Sequence, residues 1–171
     1  VEAAWLDWWD GQKGGTPGNR RLITAGNRLQ RWLRREQGIM ARVLPYQLNS
    51  GGIFLKDAAV LAGLGTIGRN NLLVTPRYGP RVRLRGLLVE AKLRATGPRQ
   101  FEPCSGCAAP CREVCPKDAF SRGGYERADC ERRMAADLAA RLPAFLPAAP
   151  APVEVVRYCR ACELACPIGR D

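Results

Sequence analysis

Eight cysteines, all between Cys104 and Cys166, restrict what this 171-residue chain can become more than any other feature. The first hundred residues contain none. The first group reads CSGCAAPCREVCP, with Cys104, Cys107, Cys111 and Cys115 followed by Pro116. The last reads CRACELACP, with Cys159, Cys162 and Cys166 followed by Pro167, and Cys130 stands alone between them. Eight thiols divide into two sets of four, the number that two [4Fe–4S] clusters require. The bacterial ferredoxin run is C-x2-C-x2-C-x3-C-P, with its fourth cysteine on the other cluster; here the second gap is one residue longer. Closely spaced cysteines let one loop offer three thiolates to one face of a cube. A further cysteine about one helical turn on points elsewhere, and the proline after it removes an N–H where the backbone leaves.

Two other uses of the cysteines stay open at this stage. Two four-cysteine zinc sites could take the C-x2-C pairs, but the tight third and fourth cysteines and both C-P endings would then be surplus. A disulfide scaffold suits a small secreted domain with a poor core, whereas this chain has a substantial cysteine-free half. The complete absence of histidine removes the common general base near neutral pH, the Ser/Cys–His pairings and every histidine-containing zinc site.

The cysteine-free half reads as mixed α/β. VEAAWLDWWD suits a strand and GQKGGTPGN a loop. Thr16 and Pro17 form an N-cap and first helical position, opening an amphipathic helix to about Glu36 with arginines on its outer face. GIMARVLPY predicts a strand, QLNSGG a turn, and FLKDAAVLAG a helix ended by Gly63. NLLVTP predicts a strand leading to a turn at RYGP, and RVRLRGLLVEAKL a half-buried strand. Lys56 and Asp57 fall on a helix surface. Further on, a helix is expected around Cys130–Leu142 and a Pro/Ala linker over Pro143–Pro152. Composition changes near Pro98–Pro103, dividing the chain into a mixed α/β portion (1–100) and a cysteine module (101–171).

Within AGLGTIGRNN (62–71), GLGTIG matches the dinucleotide pattern G-x-G-x-x-G letter for letter. That fingerprint needs a strand before and a helix after. Here the order is helix before and strand after, so the glycines are expected to permit a sharp turn and close backbone approach.

The net charge is +11, and arginine outnumbers lysine 23 to 4. The arginines are dispersed, apart from RWLRRE and RYGPRVRLR, with no basic tract interleaved with aromatics. A solvated basic surface accounts for them, and a nucleic-acid partner gains no support. The most apolar late stretch, LAARLPAFLPAAPAPVEVV, is broken by four prolines and an arginine. Nothing reads as a signal peptide or membrane span, so a soluble, cytoplasmic protein is expected. The sequence opens on Val1, which leaves room for a preceding segment.

KDAAVLAGLGTIGRNNLLVTPRYGPRVRLRGLLVE, CSGCAAPCREVCPKDAF and CRACELACP together resemble the epoxyqueuosine reductase-like iron–sulfur proteins, relatives of the corrinoid reductive dehalogenases. The resemblance spans about Gly51 to Asp171, with the blocks in the family's order. It implies an α/β (α+β) portion that binds cobalamin or a substrate, followed by a ferredoxin-like double [4Fe–4S] module fed by a redox partner. By position, Cys104, Cys107, Cys111 and Cys166 would hold one cluster, and Cys115, Cys130, Cys159 and Cys162 the other. Tyr46, Asn49, Gly63, Gly65, Gly68, Arg69 and Asn70 would border the corrinoid or small-molecule site. The tRNA-modifying members carry an aspartate proton donor upstream of the glycine block; here that stretch reads LPYQLNSGG, without a carboxylate. The chain is also much shorter than those enzymes and lacks their C-terminal helical repeats, as a divergent relative or a part of one would. A purely electron-transferring or partner-activating protein would use the same cysteines.

Overall fold

The structure is a computed structural model in which Asp7–Trp9, Gly15–Phe145 and Ala151–Arg170 are described. Helix α1 spans Pro17–Glu36. It starts where the sequence places it: Thr16 is extended (φ −64°, ψ 153°), and its hydroxyl accepts the Asn19 N–H at 3.0 Å. Pro17 follows at a position whose missing N–H costs nothing. Arg34 and Arg35 occupy the last turn, where positive charge complements the helix dipole. Because Thr16 is only 1% exposed, water cannot replace its hydroxyl. Thr16→Ala is expected to cost about 1 kcal/mol, read as a fall of about 2–4 °C in the thermal midpoint for a chain of this size.

Strand β2 (Ala41–Val43) pairs antiparallel with β5 (Leu87–Val89), Ala41 opposite Val89. Helix α1 lies against β2, and Gln30 Oε1 accepts the Val43 N–H at 3.2 Å. A single 3-10 turn covers Leu48–Ser50. Helix α2 (Leu55–Leu61) leads to Gly63 at φ +71°, then to the hairpin of β3 (Thr66–Ile67) and β4 (Leu73–Val74). The order around GLGTIG is thus helix, turn, strand, the reverse of a dinucleotide fold. RYGP does turn the chain: Thr75 and Gly79 exchange both backbone hydrogen bonds at 2.9 Å.

The strand expected from RVRLR begins only at Leu87; residues 81–86 run outside any named strand, with their arginines engaged elsewhere. The short helix α3 covers Pro110–Glu113. Helix α4 runs from Arg127 to Ala139 rather than from Cys130 to Leu142. Its earlier start is supported by Arg127–Glu131, and Leu142 leaves it to join strand β6 (Leu142–Ala144). Part of the expected linker is therefore β6, a sheet edge, where Pro143 is tolerated because its missing N–H need not enter a ladder. Strand β7 (Val153–Val156) lies between β6 and β1 (Trp8–Trp9), and helix α5 (Ala161–Ala165) closes the described chain. Trp8 pairs with Val156, so the first strand completes a sheet of the cysteine-bearing half. The rest of the strand expected over the first ten residues lies outside the described residues, as do residues 146–150 of the linker.

Buried side chains include two groups besides Thr16, Asn19 and Ala41 near α1 and β2. Ala59, Leu73 and Val74 lie under the glycine block; Ala119, Phe120, Val155 and Val156 lie within the cysteine half. Among the described residues no helix is long and apolar enough to cross a membrane.

Candidate metal centre

All eight cysteines are unpaired thiols, so no disulfide framework is present. Cys104, Cys107, Cys111 and Cys166 line one cleft together with Arg69, Asn70, Val74, Pro167 and Ile168. Cys104 and Cys107 come from the loop after Pro103. Cys111 sits in α3, entered through Ala109 in the left-handed region (φ 58°), and Cys166 ends α5. Helices α3 and α5 pack against each other, and that packing brings the early and late cysteines together. Burial first, and then the nearby Cys166, Cys104 and Cys107, push the Cys111 thiol up.

Cys159 and Cys130 are the thiols that act most on Cys162. Burial first, and then Cys159, Cys130, Cys111 and Cys115, push its thiol up to about 12. Cys111 therefore feels both groups, and the two sets adjoin. Thiols crowded in this way ionise together only when a cation compensates them. Among the described residues no three cysteine or carboxylate side chains converge at the spacing of a single metal ion.

Backbone donors already point at these sulfurs. The Arg69 N–H donates to Cys104 Sγ at 3.5 Å, Ala109 N–H to Cys107 Sγ at 3.4 Å, and Ala119 N–H to Cys115 Sγ at 3.4 Å. Burial first, and then the neighbouring Cys130, hold the Tyr125 hydroxyl well above its usual range. N–H donors to ligand sulfur are a recognised control on iron–sulfur potential. Unpaired thiols in two adjoining sets, with donors aimed at sulfur, fit iron–sulfur clusters.

The glycine block is part of this centre. Gly68 brings its backbone so near that an added Cβ would sit 2.7 Å from Val74 Cγ2 and 3.5 Å from Cys104 Sγ. Arg69 Nη1 donates to the Cys107 carbonyl at 3.0 Å, and buried Asn70 donates to the Cys162 carbonyl at 3.3 Å. Gly68, Arg69 and Asn70 thus lie against the cysteines of both sets. Gly65 instead meets the Val74 backbone, and Gly63 meets Thr96–Gly97. Tyr46 and Asn49 are exposed within the α/β half: Tyr46 carries the Arg85 guanidinium 4.8 Å from its ring centroid, and Asn49 accepts from Ser50. Asp57 is on the surface as expected. Lys56 is half-buried, and its ammonium donates to the Asn71 carbonyl at 2.7 Å, pinning the end of the block.

Several contributors escaped sequence reasoning. Buried Asp137 on α4 accepts the Cys159 N–H at 2.7 Å and Arg133 Nε at 2.8 Å. Buried Glu163 is held by Arg160 at 2.8 and 3.1 Å and by Arg83 at 3.5 Å. The Arg133–Asp137 spacing of four was visible on a helix face; the long-range partners left no local signal.

No family profile matches the chain. Two solved structures of epoxyqueuosine reductase share its fold. The one from Bacillus subtilis superposes with a TM-score of 0.62 at 19% identity, covering 95% of this chain and 40% of that one. The other gives 0.62 at 20% identity, covering 88% and 39%. In sequence, the chain is 32% identical over 138 residues to an epoxyqueuosine reductase of Pseudomonas aeruginosa, across 77% of this chain and 37% of that protein. It is 42% identical over 66 residues to a tetrachloroethene reductive dehalogenase of Desulfitobacterium hafniense, across 37% of this chain and 12% of the relative. It therefore spans well under half the length of the relatives it matches. By sequence and fold together, this mixed α/β chain is a relative of the epoxyqueuosine reductases and, over a shorter stretch, of the reductive dehalogenases.

Proposed function

We propose that this chain is an iron–sulfur oxidoreductase of the epoxyqueuosine reductase-like type. Residues 101–171 act as a ferredoxin-like two-cluster module, and residues 1–100 as the portion that meets a corrinoid or substrate. Cys104, Cys107, Cys111 and Cys166 would hold one [4Fe–4S] cluster, and Cys115, Cys130, Cys159 and Cys162 the second. When bound, the clusters supply one-electron transfer. The observation that carries this reading is the cleft in which three closely spaced cysteines and the distant Cys166 meet under the glycine block, with N–H groups aimed at the Cys104 and Cys107 sulfurs.

The chain's own part is to arrange and insulate. Ala109 and Ala119 fix sulfur orientation through their N–H groups, while Val74 and Ile168 wall the cleft with apolar surface. Arg69 joins the module to the α/β half through two contacts, one to Cys104 Sγ and one to the Cys107 carbonyl. The corrinoid rests on the resemblance, since Tyr46 and Asn49 lie exposed and apart from the cysteine contacts described here.

A second reading, an electron-transfer protein without a substrate of its own, is favoured by α1. Arg28, Arg31, Arg34 and Arg35 lie exposed along it, suited to an acidic redox partner. Cobalamin binding separates the two: a corrinoid spectrum retained after gel filtration supports the first, and none supports the second.

Anaerobic purification followed by iron, sulfide and zinc analysis tests the site itself. About eight irons per chain are expected for two cubane ligand sets. Near-zero iron with two zincs would overturn the reading, and four irons would remove one ligand set from it.

A further inference from the structure

We propose that Arg81 is the positioning residue for Cys166, acting across the molecule from the α/β half on the closing cysteine turn. The proposal rests on the iron–sulfur reading of the cysteines for its purpose, though not for its geometry.

Helix α5 has five residues, so its last carbonyls have no partner within the helix. Two guanidinium groups supply the donors. Arg81 Nη1 donates to the Glu163 carbonyl at 3.4 Å and the Cys166 carbonyl at 3.2 Å, while its Nη2 donates to the Ile168 carbonyl. Arg170 donates to the carbonyls of Cys166 at 3.1 Å and Leu164 at 2.6 Å. Arg170 belongs to the turn itself, whereas Arg81 lies in the α/β half, more than eighty residues before its partners.

The backbones also meet. Gly79 lies so close to Ile168 that a Cβ on it would overlap the Ile168 carbonyl oxygen, and a Cβ on Gly169 would overlap Tyr78 and Gly79. Arg83, two residues on, reaches the buried Glu163 carboxylate. YGPRVR is therefore a clamp on CELACPIG, with Arg81 at its centre. Only a planar fork with several donors spans three carbonyls at once; an ammonium on a flexible stem cannot. The backbone of Cys166 is thus fixed independently of its sulfur, and the residue as a whole is only 7% exposed and lines the cleft. Holding a ligand before the metal arrives removes the ordering cost from binding.

The test uses the anaerobically purified chain as wild type, Arg81→Ala and Arg81→Lys. One arm follows iron loss to a chelator, assigning each set by the electron paramagnetic resonance of the reduced protein. A second arm alkylates the folded protein with iodoacetamide and reads the order of modification of all eight cysteines by peptide mass spectrometry. Arg81→Ala is expected to lose the Cys166 set at least about tenfold faster than wild type, the effect of one lost hydrogen bond to a charged group. The other set should leave at the wild-type rate, and Cys166 should move from among the last thiols modified to among the first. Arg81→Lys should show the same order with a smaller factor. Unchanged rates and order, or equal acceleration of both sets with all thiols exposed together, would overturn the proposal. If the alanine variant does not fold, the lysine variant decides on the same order. Wild type without iron would sink the functional reading, while the alkylation order, which needs no metal, still judges Arg81.

Discussion

Replacing Cys111 by alanine is expected to halve the iron of the anaerobically purified chain, from about eight atoms to about four. Cys130→Ala should remove the other half, and the double variant should carry none. Cys111 shares its cleft with Cys104, Cys107 and Cys166, whereas Cys130 lies near Tyr125 and Cys162. The two singles should therefore leave different paramagnetic signals after reduction, because the surviving sulfurs receive different donors: Arg69 and Ala109 N–H groups in one set, the Ala119 N–H in the other. Losing all iron from either single variant would mean that the division into two sets is wrong. Losing one zinc from each would mean that the sites hold single ions.

Gly65→Ala is expected to destabilise the fold by about 3 kcal/mol, the upper end for overpacking a filled interior. The added Cβ would overlap the Val74 carbonyl oxygen. That oxygen cannot retreat, because Val74 is 1% exposed and its strand is locked by the Thr66–Val74 and Ile67–Leu73 pairs. The thermal midpoint should fall by about 6–12 °C for a chain of this size. Gly124→Ala is the matched control, since no atom lies within 4 Å of its added Cβ, and it should melt with wild type. If Gly65→Ala also melted with wild type, the close approach would not be what requires glycine there. Any strain that reached Arg69 and Asn70 would also show as faster iron loss.

Features governed by neighbouring residues were legible in the sequence. Thr16 and Pro17 mark the start of α1 because capping is a contact over three residues. Gly63 ends α2, and the reversed order around GLGTIG rules out a dinucleotide fold, because both depend on short stretches of chain. The arginines of RYGPRVRLR were visible but misread. Their alternation suggested the outer face of a strand, whereas Arg81 and Arg83 turn to a segment eighty or more residues on and Arg85 to Asn19 and Tyr46. Periodicity reports which face is polar, not which distant backbone that face will meet. Pro143 was misread for a related reason: proline argues against a central strand, but nothing local shows that a segment will lie at a sheet edge.

The pairing of Trp8 with Val156 has a consequence for biosynthesis. A growing chain cannot complete this sheet until β7 has been made, because β1 has no partner before then. Cys159, Cys162 and Cys166 emerge directly after β7. Closure of the sheet and delivery of these three thiols therefore coincide, so a chain cut before β7 would lack both the central strand of the sheet and the cysteine turn that follows it.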